Sequence, residues 1–258
     1  MNPIDSLFKR LRAANRKAFM PFVTAGDPDL AFTRRLLPAV ADAGADLIEV
    51  GFPFSDPIAD GPVIQASYTR ALAKNLKLAE LFDAVRDAKP ACPVVAMASY
   101  SLMFKKGPAA FIDAAKAAGF SGAVVPDLPV EEAAELSKLA ADRDFKLVLL
   151  VTPTTSPKRA EAVVKACGGF VYVVSVVGIT GERAKVSGNL QDMLARLRTM
   201  TDLPLCVGFG VSTPDHVREV GALADGVIVG SALVKKLETG RLEDVTQLVA
   251  ELSAPLKG

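Results

Sequence analysis

One carboxylate stands inside an otherwise apolar run, Leu47-Ile48-Glu49-Val50-Gly51. Two readings fit it. Glu49 either pairs with a buried Lys or Arg, or, buried without a partner, has a raised pKa and works as a general acid/base near neutral pH. Asp56 and Asp60 follow in a Pro- and Asp-rich stretch, 52–61, where Asp is also an ordinary turn former. Asp60 is close enough in sequence to fold back over the end of that run, and two carboxylates over one pocket can take different roles. Three glycine elements lie late in the chain: Gly178-Ile179-Thr180-Gly181, Gly208-Phe209-Gly210 and Gly230-Ser231. Each alone marks a turn. Together, with backbone N–H groups and the Ser231 hydroxyl, they suit a phosphate dianion. Tyr172, in Phe170-Val171-Tyr172-Val173, is either a core aromatic or a phenol aimed into the pocket. Phe22, Met97 and Phe209 are core residues by default, or walls for an aromatic substrate.

Eight short apolar runs must position these groups: 18–24, 46–51, 93–99, 122–126, 146–152, 170–175, 204–208 and 226–230. Near-continuous apolar character is the mark of strands buried on both faces of a parallel sheet. Amphipathic, Ala-rich segments lie between them, including 30–43, 108–118, 130–141 and 157–166, with a kink expected at Pro38. Gly44, Gly119 and Gly221 each end a helical stretch just before a strand. The alternation predicts a closed (β/α)8 TIM barrel, with a doubly wound open sheet as the alternative. In a barrel the chemistry belongs at the C-terminal ends of the strands, and phosphate at the last two loops.

The spacing between runs leaves room for an extra helix, 62–73, after the second strand, and a further one is expected after the eighth. Ile4, Leu7, Phe8 and Leu11 recur at i, i+3, i+4, i+7, so 1–15 reads as a helix capping one end, with Asp5 and Ser6 as its N-cap signal. Five basic residues in the first 17 also suggest a transit peptide, but Ser is scarce. The expected organisation is one barrel domain over 1–258, with active-site loops at 52–61 and 178–189.

The chain has 258 residues, half of them hydrophobic, and a mean hydropathy of +0.31, enough apolar material for a large core. Charge is balanced, 30 Lys and Arg against 29 Asp and Glu, which gives no basic face for nucleic acid or an anionic membrane. No apolar run reaches membrane-helix length. Cys92, Cys167 and Cys206 are widely spaced and, with His216 the only histidine, predict buried thiols in a reducing compartment and no metal site.

Longer strings are more specific. Phe22-Val23-Thr24-Ala25-Gly26-Asp27-Pro28 and Ile48-Glu49-Val50-Gly51-Phe52-Pro53-Phe54-Ser55-Asp56-Pro57-Ile58-Ala59-Asp60-Gly61-Pro62-Val63-Ile64-Gln65 closely resemble the tryptophan synthase alpha subunit family. Pro126-Asp127-Leu128-Pro129-Val130-Glu131-Glu132 and the Gly178 and Gly208 elements extend the likeness over essentially the whole chain. The resemblance implies retro-aldol cleavage of indole-3-glycerol phosphate to indole and glyceraldehyde 3-phosphate. A stand-alone indole-3-glycerol-phosphate lyase and another sugar-phosphate barrel enzyme are the alternatives. It implies that Glu49 is the general acid/base, that Asp60 stabilises positive charge on the indole nitrogen, and that Tyr172 is the pocket tyrosine. Gly181, Gly210, Gly230 and Ser231 then match phosphate-binding positions, Thr180 steadies Asp60, and Phe22 and Phe209 border the substrate. No cofactor is implied for this chain; pyridoxal phosphate belongs to a beta subunit, the implied partner in a cytoplasmic α2β2 heterotetramer. Pro53 and Asp56, on a stiff loop beside the catalytic strand, are the expected contacts with it. Two stretches depart from the family pattern: Ser99 and Ser101 replace a tyrosine and an asparagine, and Val176 follows Ser175 where arginine is usual.

Overall fold

The computed structural model describes residues 1–175, 183–208 and 210–257. Among them the strands are β1 (Ala18–Thr24), β2 (Ile48–Gly51), β3 (Val94–Met97), β4 (Phe120–Val124), β5 (Lys146–Val148), β6 (Leu150–Val151), β7 (Val171–Val174), β8 (Leu205–Gly208) and β9 (Gly226–Val229). They form one parallel sheet in the order β5-β4-β3-β2-β1-β9-β8-β7-β6. Its two outer strands are consecutive in the chain and separated only by Leu149. Val125 N–H donates to the Val148 carbonyl (3.1 Å) on one side, and Tyr172 N–H to the Leu149 carbonyl (3.3 Å) on the other. The sheet therefore closes on itself, as a TIM barrel. The run expected as one strand over 146–152 is split because the Leu149 N–H points to the Cys167 thiol (3.2 Å) instead of a ladder carbonyl.

The helices are α1 (Pro3–Ala13), α2 (Leu30–Ala43), α3 (Pro62–Leu72), α4 (Leu78–Ala88), α5 (Tyr100–Lys106), α6 (Pro108–Ala117), α7 (Ala134–Asp142), α8 (Pro157–Ala166), α9 (Arg183–Arg198), α10 (Pro214–Gly221), α11 (Ser231–Leu237) and α12 (Leu242–Ser253). The doubled helices after β2 and after β9 are as expected; α5, after β3, is an addition. Helix α2 runs unbroken across Pro38, which leaves the Arg34 carbonyl without an intrahelical donor. The segment expected as a loop at 178–189 is helical from Arg183, and its first part, with Thr180 and Gly181, lies outside the described residues.

Two apolar layers hold the barrel. Outside the sheet, Phe19, Phe52, Phe82, Phe111 and Phe120 pack beneath the helices, with Phe52 in edge-to-face contact with Phe82 at 5.3 Å. Inside it, Met20, Leu47, Val95, Val124, Val148, Phe170, Tyr172, Cys206 and Ile228 fill the barrel interior. Helix α1 plugs that end with Ile4, Leu7, Phe8 and Leu11, all buried. Its cap differs from the expected Asp5 and Ser6: Pro3 at the first helical position makes Asn2 the N-cap, and the Asn2 side chain accepts from Ile4 N–H (2.9 Å). The same amide donates to the Ser121 and Asp144 carbonyls, tying the plug to the barrel floor. With the floor sealed, the upper rim is the open end.

A carboxylate cleft at the upper rim

Strand alternation decides where Glu49 points. Ile48 and Val50 join the outer layer and Leu47 the interior, so Glu49 faces inward one step above Leu47. It lies in register with Phe22 of β1 and Val95 of β3. The residue is 2 % exposed, and its Oε1 has no hydrogen-bond partner among the described residues. No Lys or Arg pairs with it among them. Burial, with the Asp60 carboxylate as a second cause, pushes the Glu49 carboxyl from 4.5 up to about 8.

Asp60 arrives from the loop 52–61. That loop is held by Gln65, one turn into α3, whose side-chain amide donates to the Asp60 carbonyl (2.7 Å) and the Pro57 carbonyl (3.4 Å). The Asp60 carboxylate is left to the cleft: Oδ1 is buried without a partner among the described residues. Burial first, and Asp127 second, push its carboxyl from 3.8 up to about 7. The cleft around it is small and lined in part by Phe52, Phe54, Asp56, Met97, Pro126 and Asp127.

Tyr172 points into the barrel from β7. Its phenol is held protonated by burial and by the nearby Glu49 and Asp60 carboxylates. Its hydroxyl lies where a Cβ on Gly208 would be, 2.4 Å from that position, so glycine at 208 is what admits the ring. Phe22 similarly occupies the space above Gly51, and its ring edge is 3.8 Å from where a Cβ on Gly230 would sit. Glu49, Asp60, Tyr172 and Phe22 are thus gathered at one rim. Gly230 caps α11 and Ser231 begins it; Ser231 is exposed, as is Gly210, whose φ of +75° favours glycine. Phe209, like Thr180 and Gly181, lies outside the described residues.

Two residues of the site, Tyr68 and Asp127, went unassigned from the sequence. Tyr68 of α3 is buried against Gly51 and faces both Asp60 and Glu49. Glycine at 51, closing a strand of larger residues, was the available signal. Asp127 accepts from the Ser99 hydroxyl (2.5 Å) and from Tyr100 N–H (2.8 Å), a link no spacing reveals. Pro53 needs correction as a surface residue. It is buried, and the loop exposes Ser55, Asp56 and Ile58 instead.

The model of the family described as tryptophan synthase alpha chain matches residues 8–257. The chain belongs to the tryptophan synthase alpha chain family. Among its tryptophan synthase alpha chain relatives, that of Rhodopirellula baltica is 49 % identical over 242 residues, covering 92 % of this chain and 87 % of its own. The relative from Synechocystis sp. is 47 % identical over 260 residues, covering 100 % and 98 %. A solved tryptophan synthase structure from M. tuberculosis superimposes with a TM-score of 0.89 at 31 % identity, covering both chains fully. In this tryptophan synthase alpha family member no helix among the described residues is long and apolar enough to cross a membrane.

Proposed function

We propose that this chain is the lyase of its family, cleaving indole-3-glycerol phosphate to indole and glyceraldehyde 3-phosphate, with Glu49 and Asp60 as the working pair. The observation that carries this reading is a buried Glu49 with Asp60 near it at the strand ends, each keeping a carboxylate oxygen without a partner among the described residues. Held at about 8, Glu49 is protonated at neutral pH, the form that can deliver a proton to indole C3. Protonation turns C3 tetrahedral and places positive charge on the ring nitrogen, where an ionised Asp60 stabilises it. The bond from C3 to the glycerol chain then breaks, its electrons restoring the indole ring. The Glu49 carboxylate takes the proton of the adjacent hydroxyl, the carbon bearing it becomes the aldehyde, and Glu49 ends protonated as it began. Phe22 and Phe209 border the ring, Tyr172 faces it from β7, Thr180 steadies Asp60, and Gly181, Gly210, Gly230 and Ser231 receive the phosphate. Each chemical step uses side chains of this chain.

A Cβ at Gly230 would make only ordinary contacts, at 3.6 Å and beyond, and its φ of −109° accepts any residue. Gly230→Ala therefore leaves the fold intact and adds a methyl group at the phosphate end. Calorimetric titration with glycerol 3-phosphate is expected to show affinity reduced about tenfold or more, with the urea midpoint unchanged. Unchanged affinity removes Gly230 from the phosphate site.

The partner in this reading is a pyridoxal-phosphate-bearing beta subunit, in a cytoplasmic α2β2 assembly that receives indole directly. The surface that supports it includes exposed Asp56 and the exposed apolar residues Ile58 (76 %) and Phe104 (70 %), all on segments next to the cleft. The test is indole release from indole-3-glycerol phosphate by the chain alone and with a beta subunit of a relative, with sedimentation of the mixture. A complex and stimulation of about 5–150-fold are expected, the range of a 1–3 kcal/mol coupling. Full activity alone with no complex makes it a stand-alone lyase.

A further inference from the structure

The cleft holds a further carboxylate, Asp127, for which the mechanism above has no use. Asp127 follows β4 and lines the cleft with Asp60. Both its oxygens are engaged from the start of α5: Oδ2 by the Ser99 hydroxyl (2.5 Å) and Oδ1 by Tyr100 N–H (2.8 Å). Ser99 is itself fixed, being 9 % exposed and accepting from Ser101 N–H (3.2 Å) as the N-cap of that helix. Two donors on one carboxylate hold its direction. The other titratable groups facing Asp60 are Glu49 from β2, Tyr172 from β7 and Tyr68 from α3, with Asp56 on its own loop. No cation among the described residues faces it. Asp127 has both carboxylate oxygens held by donors, whereas Glu49 and Asp60 each keep one oxygen without a partner among the described residues.

We infer that Asp127, clamped by Ser99 and the Tyr100 amide, is a positioning residue whose fixed negative charge sets when Asp60 becomes ionised and so sets the acid limb of the lyase reaction. This rests on the assignment of Asp60 made above. The physical reason is a like charge across a small, partly buried cleft, where screening by solvent is weak. The direction agrees with Asp127 being the charged group that pushes Asp60 upward. Ser99 acquires a role through this chain of contacts: its hydroxyl keeps the Asp127 carboxylate turned to the cleft rather than to solvent, which Asp127, half-buried, can otherwise reach.

Two readouts test this. Carbon-13 NMR of the full chain carrying labelled Asp carboxyls follows Asp60 directly, its resonance assigned by loss in Asp60→Asn. In Asp127→Asn the Asp60 midpoint is expected to fall by about one pH unit, a tenfold loss of proton affinity. The acid limb of kcat/KM for indole release is expected to move by the same amount, the alkaline limb staying in place. Ser99→Ala moves both in the same direction by less, and Ser99→Thr, which keeps the hydroxyl, restores them. An Asp60 midpoint unmoved in Asp127→Asn overturns the inference. A purely structural role for Asp127 lowers activity at every pH and leaves the midpoint where it was, which also overturns it. If the midpoint moves but the acid limb does not follow, the charge linkage holds and the assignment of Asp60 to the reaction is what fails.

Discussion

Glu49→Gln is expected to lower indole release by about 10²–10⁴-fold while making the protein harder to unfold at alkaline pH. The first effect follows from removing the acid that protonates C3 and the base that takes the hydroxyl proton. Glutamine keeps the size of the side chain and its place in β2, so the loss belongs to chemistry. The second effect follows from what the fold pays to keep a carboxyl in the barrel. The folded chain holds the Glu49 proton to about pH 8, whereas the unfolded chain releases it near 4.5. Stability linked to this group is therefore full below pH 4.5 and is lost as pH rises toward 8. Glutamine never ionises, so the variant escapes that loss. The gain over the parent is absent at pH 4 and reaches about 3–5 kcal/mol by pH 9, at 1.36 kcal/mol for each pH unit between the two values. Urea midpoints at pH 5 and pH 8.5 measure it. A variant of near-normal turnover, or one destabilised at both pH values, returns Glu49 to an ordinary structural role.

The burial of Glu49 was legible in the sequence, because its neighbours in Leu47-Ile48-Glu49-Val50-Gly51 are apolar and a buried carboxylate there is costly. The barrel was legible for a related reason. Strands buried on both faces must be apolar throughout, and helices that cover them must be apolar on one side, so both periods are written into the chain. The plug α1 was read from Ile4, Leu7, Phe8 and Leu11 alone. What escaped depended on contacts between distant segments. The break at Leu149 needs a thiol eighteen residues on. The clamp of Ser99 on Asp127 joins two loops that the barrel brings together only after β3 and β4 pair. Asn2 outcompeted Asp5 as the cap because Pro3 fixes the first turn, and Asp5 was left free to pair with Lys146 at 2.7 Å. Pro53 looked like a stiff surface residue, yet the Phe52 beside it is drawn into the aromatic layer under the helices and takes the proline inward.

Asp60→Asn is expected to act on the catalytic step rather than on binding. In the ground state the indole nitrogen is neutral, and asparagine can still accept its N–H, so KM changes little. In the transition state the nitrogen carries positive charge, and asparagine offers a dipole where the parent offers an anion. Removing a charge-stabilising group of this kind costs about 10²–10³ in kcat. The pH dependence of the parent carries the same assignment. Activity needs Asp60 ionised and Glu49 protonated, so kcat/KM should rise through about pH 7 and fall through about pH 8. The window is narrow because the two carboxyls share one cleft, each raised chiefly by burial. In Glu49→Asp, whose shorter acid can still donate weakly, the alkaline limb should move and the acid limb should not. An Asp60→Asn enzyme with full kcat and a raised KM would place the carboxylate in substrate binding instead. The positive charge of the intermediate would then need another partner, and Asp127, the clamped carboxylate beside Asp60, is the one positioned to be tested next.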